Sequence, residues 1–99
     1  MKQRTYKLRV PDDVAGLVRN MHPHLKKKVK VSLQTILSDP DSGKALKDEL
    51  AGLRSFRVSR YRITYRIAPE GHIELVAIGP RERIYEETFR LLKKRQPGT

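Results

Sequence analysis

The 99-residue chain has room for a single domain, spanning residues 1–99, around one core. It carries 22 Lys+Arg against 11 Asp+Glu, a formal net charge of +11, which calls for a polyanionic partner. Nucleic acid is the first candidate, because each phosphate contact releases counterions. With no cysteine, a disulfide framework, a thiol nucleophile and Cys-based zinc sites are excluded, and no apolar run approaches a membrane span. A soluble cytoplasmic chain with no membrane partner is expected.

From Tyr6 to Val10 apolar and basic residues alternate with period two, the pattern of a half-buried strand, and Pro11 stops it. Asp12 and Asp13 supply negative charge at a helix start, and Val14, Leu17, Val18 and Met21 follow at helical spacing. His22-Pro23-His24 turns the chain into a second helix, whose apolar stripe is Leu25, Val29, Leu33, Ile36 and Leu37 and which ends at Asp39-Pro40. Its opposite face carries Lys26, Lys27, Lys28 and Lys30, so the pair reads as a helical hairpin with a basic outer surface. Residues 41–53 read as a loop with one helical turn, anchored by leucines.

From Phe56 the period becomes two. Phe56 and Val58 alternate with Arg57 and Ser59; after a bend near Arg60, Tyr61, Ile63, Tyr65 and Ile67 alternate with Arg62, Thr64 and Arg66. Pro69-Glu70-Gly71 is a turn, His72 to Ile78 a central strand, and Gly79-Pro80 its end. A last helix from Ile84 gives way to a frayed basic tail over about 93–99. The order β-α-α-β-β-β-α defines an α+β domain, a small and mostly antiparallel sheet with the helical hairpin on one face and a short C-terminal helix. If the tyrosines and isoleucines of 61–67 face the hairpin, Arg62, Thr64 and Arg66 line a partly open opposite face.

Between Leu53 and Ile67 stand Arg54, Arg57, Arg60, Arg62 and Arg66 with no acid among them, and Arg81 and Arg83 follow the last strand. Guanidinium groups pair with phosphate bidentately, so arginines converging on one surface form a phosphate site; ordinary solvated strand arginines are the plainer alternative. Tyr85 reads either as core packing, in an i, i+4, i+7 stripe with Phe89 and Leu92, or as a proton-transfer group beside Arg81 and Arg83. His22 and His24 lack partner ligands for a metal, His72 reads as a solvated turn residue, and no hydrolase triad, phosphate-binding loop or carboxylate pair is evident.

The stretch from Leu50 to Ile67, with its Tyr-Arg-Ile-x-Tyr segment at 61–65, and the Gly79-Pro80-Arg81 exit running on to Tyr85 resemble the RelE/ParE toxins of type II toxin-antitoxin systems, the RelE-like branch above all. The resemblance spans nearly the whole chain. It implies a toxin that cuts mRNA in the ribosomal A site and is held inactive by a cognate antitoxin. It also implies a metal-independent reaction without a cofactor, in which the ribose 2′-hydroxyl attacks the adjacent phosphate. Carried over residue by residue, Arg62 and Arg81 stabilise the transition state, Arg57 positions the phosphate and Tyr85 transfers a proton. Arg54, Arg60, Arg66, Arg83, Lys26, Lys27, Lys28 and Lys30 are the expected RNA-binding residues. Two other readings stand beside this one: a ParE-like inhibitor of DNA gyrase, and a non-catalytic basic module that binds nucleic acid.

Overall fold

A computed structural model describes residues 6–95. Strand β1 (Lys7–Arg9) leads into helices α1 (Asp12–Arg19) and α2 (Pro23–Ser38), then β2 (Lys44–Ala45), β3 (Arg54–Val58), β4 (Tyr61–Ile67), β5 (His72–Pro80) and helix α3 (Ile84–Arg95). The five strands lie in the order β1-β5-β4-β3-β2; β1 runs parallel to β5 and every other pair is antiparallel. This is the expected α+β architecture with one added strand.

The helix boundaries follow from local chemistry. Pro11 takes the N-cap position of α1, while Asp12 and Asp13 sit in its first turn, where negative charge complements the helix dipole. His22 caps α2 by accepting the His24 N–H at Nδ1 (3.1 Å), and Pro23 occupies the first helical position, where its missing N–H costs nothing. The core lies between this hairpin and one sheet face: Val14, Val29 and Ile36 meet Val58, Ile63, Tyr65, Ile73, Leu75 and Ile78.

Five expectations need correction. The segment 41–53 is not only a loop, because Lys44 and Ala45 pair with Ser55 and Arg54 as an edge strand too short to announce itself by periodicity, flanked by two single 3₁₀ turns. Residues 93–95 continue α3 rather than fray; 96–99 lie outside the described residues. Ile67, paired with the core residue Ile73, is exposed at the end of β4 rather than buried under the hairpin, and His72 is partly buried, its Nδ1 enclosed without a hydrogen-bond partner.

The fifth correction bears on function. The second sheet face is not simply open, because α3 folds back across it. Thr64, expected on a solvent-facing row, is fully buried, its hydroxyl 2.9 Å from that of Thr88. The two hydroxyls share one hydrogen bond, and that of Thr64 also lies 3.4 Å from the Ala77 carbonyl oxygen, which offsets the cost of burying them. The buried positions of α3 are Ile84 and Thr88, so its apolar stripe is rotated from the one expected, and Tyr85 and Phe89 are exposed. The core-packing reading of Tyr85 therefore fails.

Candidate active site and nucleic-acid interface

The β3–β4 hairpin turns through Ser59 and Arg60, with Ser59 at φ 58°, a left-handed conformation that lets a two-residue loop match the twist of the strands. This tight turn fixes the register Val58↔Tyr61, and hence Arg57 directly opposite Arg62. Like charges in that relation are destabilising, so the pair is a local cost that the fold carries. On the far side of β4, Arg62 pairs with Gly79 of β5. A row of Arg57, Arg62 and Gly79 thus crosses three adjacent strands.

Arg62 is half-buried, and its Nη1 donates to Ser55 Oγ at 3.0 Å, which steadies the guanidinium along the sheet. Arg57 is exposed, its Nε 3.5 Å from the Ser59 carbonyl oxygen. The chain leaving β5 is pinned to the hairpin tip by the Arg81 N–H, which donates to the Arg60 carbonyl at 3.0 Å, so Arg81 and Arg83 emerge exposed beside that tip. Among the described residues Arg57, Arg60, Arg62, Arg81 and Arg83 form no ion pair.

Two other arginines are committed elsewhere. Arg54 donates to the carbonyls of Gly43 (2.6 Å) and Asp41 (3.2 Å) and pairs with the Asp41 carboxylate, clipping the 39–43 segment to β3. Arg66 donates to Glu74, which also takes Arg9 at 2.7 Å. The hydrogen bond from Arg66, aided by Arg9, holds the Glu74 carboxyl below its usual range. Neither acid is near these arginines in sequence.

The lysines separate as well. Lys27 and Lys28 line a groove with His24, Arg57 and Ser59, and Lys28 also borders an adjoining hollow with His22 and Arg60. Basic groups from α2 therefore meet the arginines of the hairpin tip. Lys26 and Lys30 line neither. Among the described residues no three His, Asp or Glu side chains converge as a metal site, and no helix is long and apolar enough to cross a membrane.

Three participants escape a reading of the sequence: Ser55, Gly79 and Glu87. The space over Gly79 is filled from α3, where Glu87 Oε1 lies 2.7 Å and Ile84 Cδ1 3.3 Å from the position a Cβ would take. A glycine within a strand is a signal of close approach by another group, and here that signal is present. Tyr65 faces inward as expected, but it has a second role that periodicity does not show. Its phenol donates to the Pro40 carbonyl at 2.6 Å and accepts the Gly43 N–H at 3.1 Å, and burial pushes its pKa up.

Solved structures share this fold. They include the RelBE2 toxin-antitoxin complex of Mycobacterium tuberculosis, 26% identical, with 78% of this chain and 99% of that one covered at a TM-score of 0.68. An arginine-to-alanine double mutant of the E. coli toxin RelE in the free state is 18% identical, with 94% and 99% covered and a TM-score of 0.72. The archaeal RelE-RelB complex of Pyrococcus horikoshii OT3 is 19% identical, with 80% and 98% covered and a TM-score of 0.66. No curated protein matches the chain by sequence. The model of the ParE toxin of the type II toxin-antitoxin system parDE matches residues 5–85, and this chain belongs to that family, within the RelE/ParE toxin superfamily.

Proposed function

We propose that this toxin is a ribosome-dependent mRNA endoribonuclease and that its partner is a cognate antitoxin. The observation that carries the reading is the unpaired row of Arg57 and Arg62 beside Arg81 and Arg83. An opposed arginine pair with no acid to relieve it is costly in the free fold and becomes favourable when a phosphate lies across it.

The chemistry needs a proton acceptor for the ribose 2′-hydroxyl, donors for the extra charge on the pentacoordinate phosphorus, and a proton for the leaving 5′-oxygen. Arg62, held by Ser55, and Arg81, held by its backbone at the hairpin tip, supply the second. Arg57 positions the phosphate from across the strand. Tyr85, exposed at the head of α3, transfers a proton. Arg60, Arg83, Lys27 and Lys28 bind the flanking strand, and Arg54, Arg66, Lys26 and Lys30 add to the general positive field. Arg62→Ala or Arg81→Ala, with the fold retained, lowers cleavage on translating ribosomes by about two to three powers of ten. Wild-type rates in both variants refute the assignment.

The family match favours one competing reading, inhibition of DNA gyrase. A supercoiling assay separates the two: the ribonuclease leaves gyrase active, whereas a gyrase inhibitor stops supercoiling and leaves mRNA intact.

A further inference from the structure

Building on the proposed function, in which the partner is an antitoxin, we propose that an extended acidic segment of that partner docks in the groove between α2 and the uncovered edge of β3. There it takes Arg57 away from RNA. β3 runs from Arg54 to Val58, but β2 pairs only with Arg54 and Ser55. Among the described residues no strand lies beyond Phe56, Arg57 and Val58 on that side. The hairpin turn decides which main-chain groups are free there. Val58 and Tyr61 close a two-residue turn and so exchange both main-chain hydrogen bonds. Such pairs alternate along an antiparallel ladder, so Arg57 turns its N–H and C=O outward. Ser55, two residues back, turns the same way, and it is the residue that β2 takes up.

Helix α2 runs beside that edge. Lys27, Lys28, Val31 and Ser32 share one side of the helix, and with Arg57, Val58 and Ser59 they line a groove of about 510 Å³. Val58 is buried, but Val31 is 55% exposed beside the lysines. Lys27, Lys28 and Arg57 form no ion pair among the described residues, so the groove carries three uncompensated cations. RNA phosphates answer to the cations alone. A free main-chain donor and acceptor together with an exposed valine suit a peptide strand, and the cations require that strand to be acidic.

Laid in the line of β2, antiparallel to β3, the segment exchanges both main-chain bonds with Arg57 through one residue. The side chain of that residue stands on the Arg57 side of the sheet, and an acid there pairs with the guanidinium. Its two neighbours point to the opposite face, toward α2. The start of α2 lies at the hairpin tip, where Lys28 also borders the hollow with His22 and Arg60. The preceding residue therefore meets Lys27 and Lys28, and the following one meets Val31. The motif is acid, acid, apolar. Arg57 held in this way no longer positions a phosphate, and Lys27 and Lys28 are lost to the flanking RNA, so docking stops cleavage.

The probe is the synthetic peptide acetyl-Ser-Glu-Glu-Val-Thr-amide, titrated into the isotope-labelled full chain and followed by NMR. On binding, the Arg57 amide becomes protected from hydrogen exchange, signals of Lys27, Lys28 and Val31 shift, and saturating peptide halts cleavage on translating ribosomes. Val31→Glu, at an exposed site, leaves the fold and mRNA cleavage intact but weakens the peptide by about tenfold or more. Methylating the main-chain nitrogen of the second glutamate removes its N–H and weakens binding to a similar extent. A methylated peptide that binds as tightly as its parent, or shifts that bypass Arg57 and Val31, overturns strand docking in favour of diffuse charge attraction. Oligouridine that protects the Arg57 amide and shifts Val31 as the peptide does overturns it too, because the groove then takes RNA. Saturated protein that cuts at the full rate overturns the inhibition. None of these results touches the ribonuclease reading, whereas a protein that binds the peptide and never cuts mRNA overturns that reading and leaves the docking site standing.

Discussion

Tyr65→Phe removes one oxygen from the interior, and the structure says what that oxygen holds. The side chain is fully buried on β4, and its hydroxyl joins two backbone groups of the 40–43 segment, the Pro40 carbonyl at 2.6 Å and the Gly43 N–H at 3.1 Å. Neither group has another evident use for its hydrogen-bonding capacity once the hydroxyl is gone. A buried group left unpaired costs about 1–3 kcal/mol, so with partial relaxation the loss is about 2–4 kcal/mol. For a domain of this size that is a fall in Tm of roughly 10–25 °C. Urea unfolding followed by circular dichroism gives the free energy directly. A double-mutant cycle with Gly43 sharpens the test, because a Cβ there stands 2.6 Å from the Tyr65 oxygen but 3.0 Å from the ring carbon that phenylalanine keeps. Gly43→Ala is thus costly alone and less so beside Tyr65→Phe, with a coupling of about 1 kcal/mol or more. A loss below about 0.5 kcal/mol for Tyr65→Phe, or simple additivity, refutes this account of the segment.

Burial raises the pKa of Tyr65, so the native state holds the phenol proton more tightly than the unfolded chain does. Its contribution is complete below the ordinary tyrosine value and is lost as pH rises through the raised one; Tyr65→Phe flattens that alkaline slope in stability-versus-pH curves. Glu74 runs the other way: its pKa is lowered, so its contribution is present above the ordinary glutamate value and disappears as pH falls through the lowered one. Glu74→Gln costs about 1 kcal/mol at neutral pH, because both partner arginines are more than half exposed, and next to nothing at pH below the transition in acid unfolding. Gly79→Ala displaces the Glu87 carboxylate, the far end of a flexible side chain, so the Tm in thermal unfolding falls by only a few degrees. Lys27→Ala with Lys28→Ala reduces the salt dependence of RNA binding by about 0.7 in log–log slope for each phosphate no longer neutralised, measured by titration at several salt concentrations. The matched pair Lys26→Ala and Lys30→Ala, outside the groove, changes it less.

The order of the large elements is legible in the sequence because periodicity and punctuation agree. Pro11, Pro23, Pro40 and Gly71 mark boundaries that the structure keeps, and Gly71 takes the positive φ, 90°, that its turn requires. The Arg57–Arg62 opposition is implicit in a hairpin with a two-residue turn. What the sequence cannot reveal depends on where a helix lands. The apolar residues of 84–92 fit two stripes about equally, and only docking against Thr64 and Gly79 selects Ile84 and Thr88 over Tyr85 and Phe89. Arginine counting has the same limit: Arg54 and Arg66 look like Arg57 and Arg62 until Asp41 and Glu74 arrive from other elements.

The central claim is that the unpaired arginine row cuts mRNA held by the ribosome. Its most direct test is translation of a defined mRNA in vitro with the purified protein, followed by primer extension to map new ends, alongside the same RNA without ribosomes. Cuts at fixed positions within codons, present only with ribosomes and ending in a 2′,3′-cyclic phosphate, are the predicted result. Intact mRNA under both conditions contradicts it.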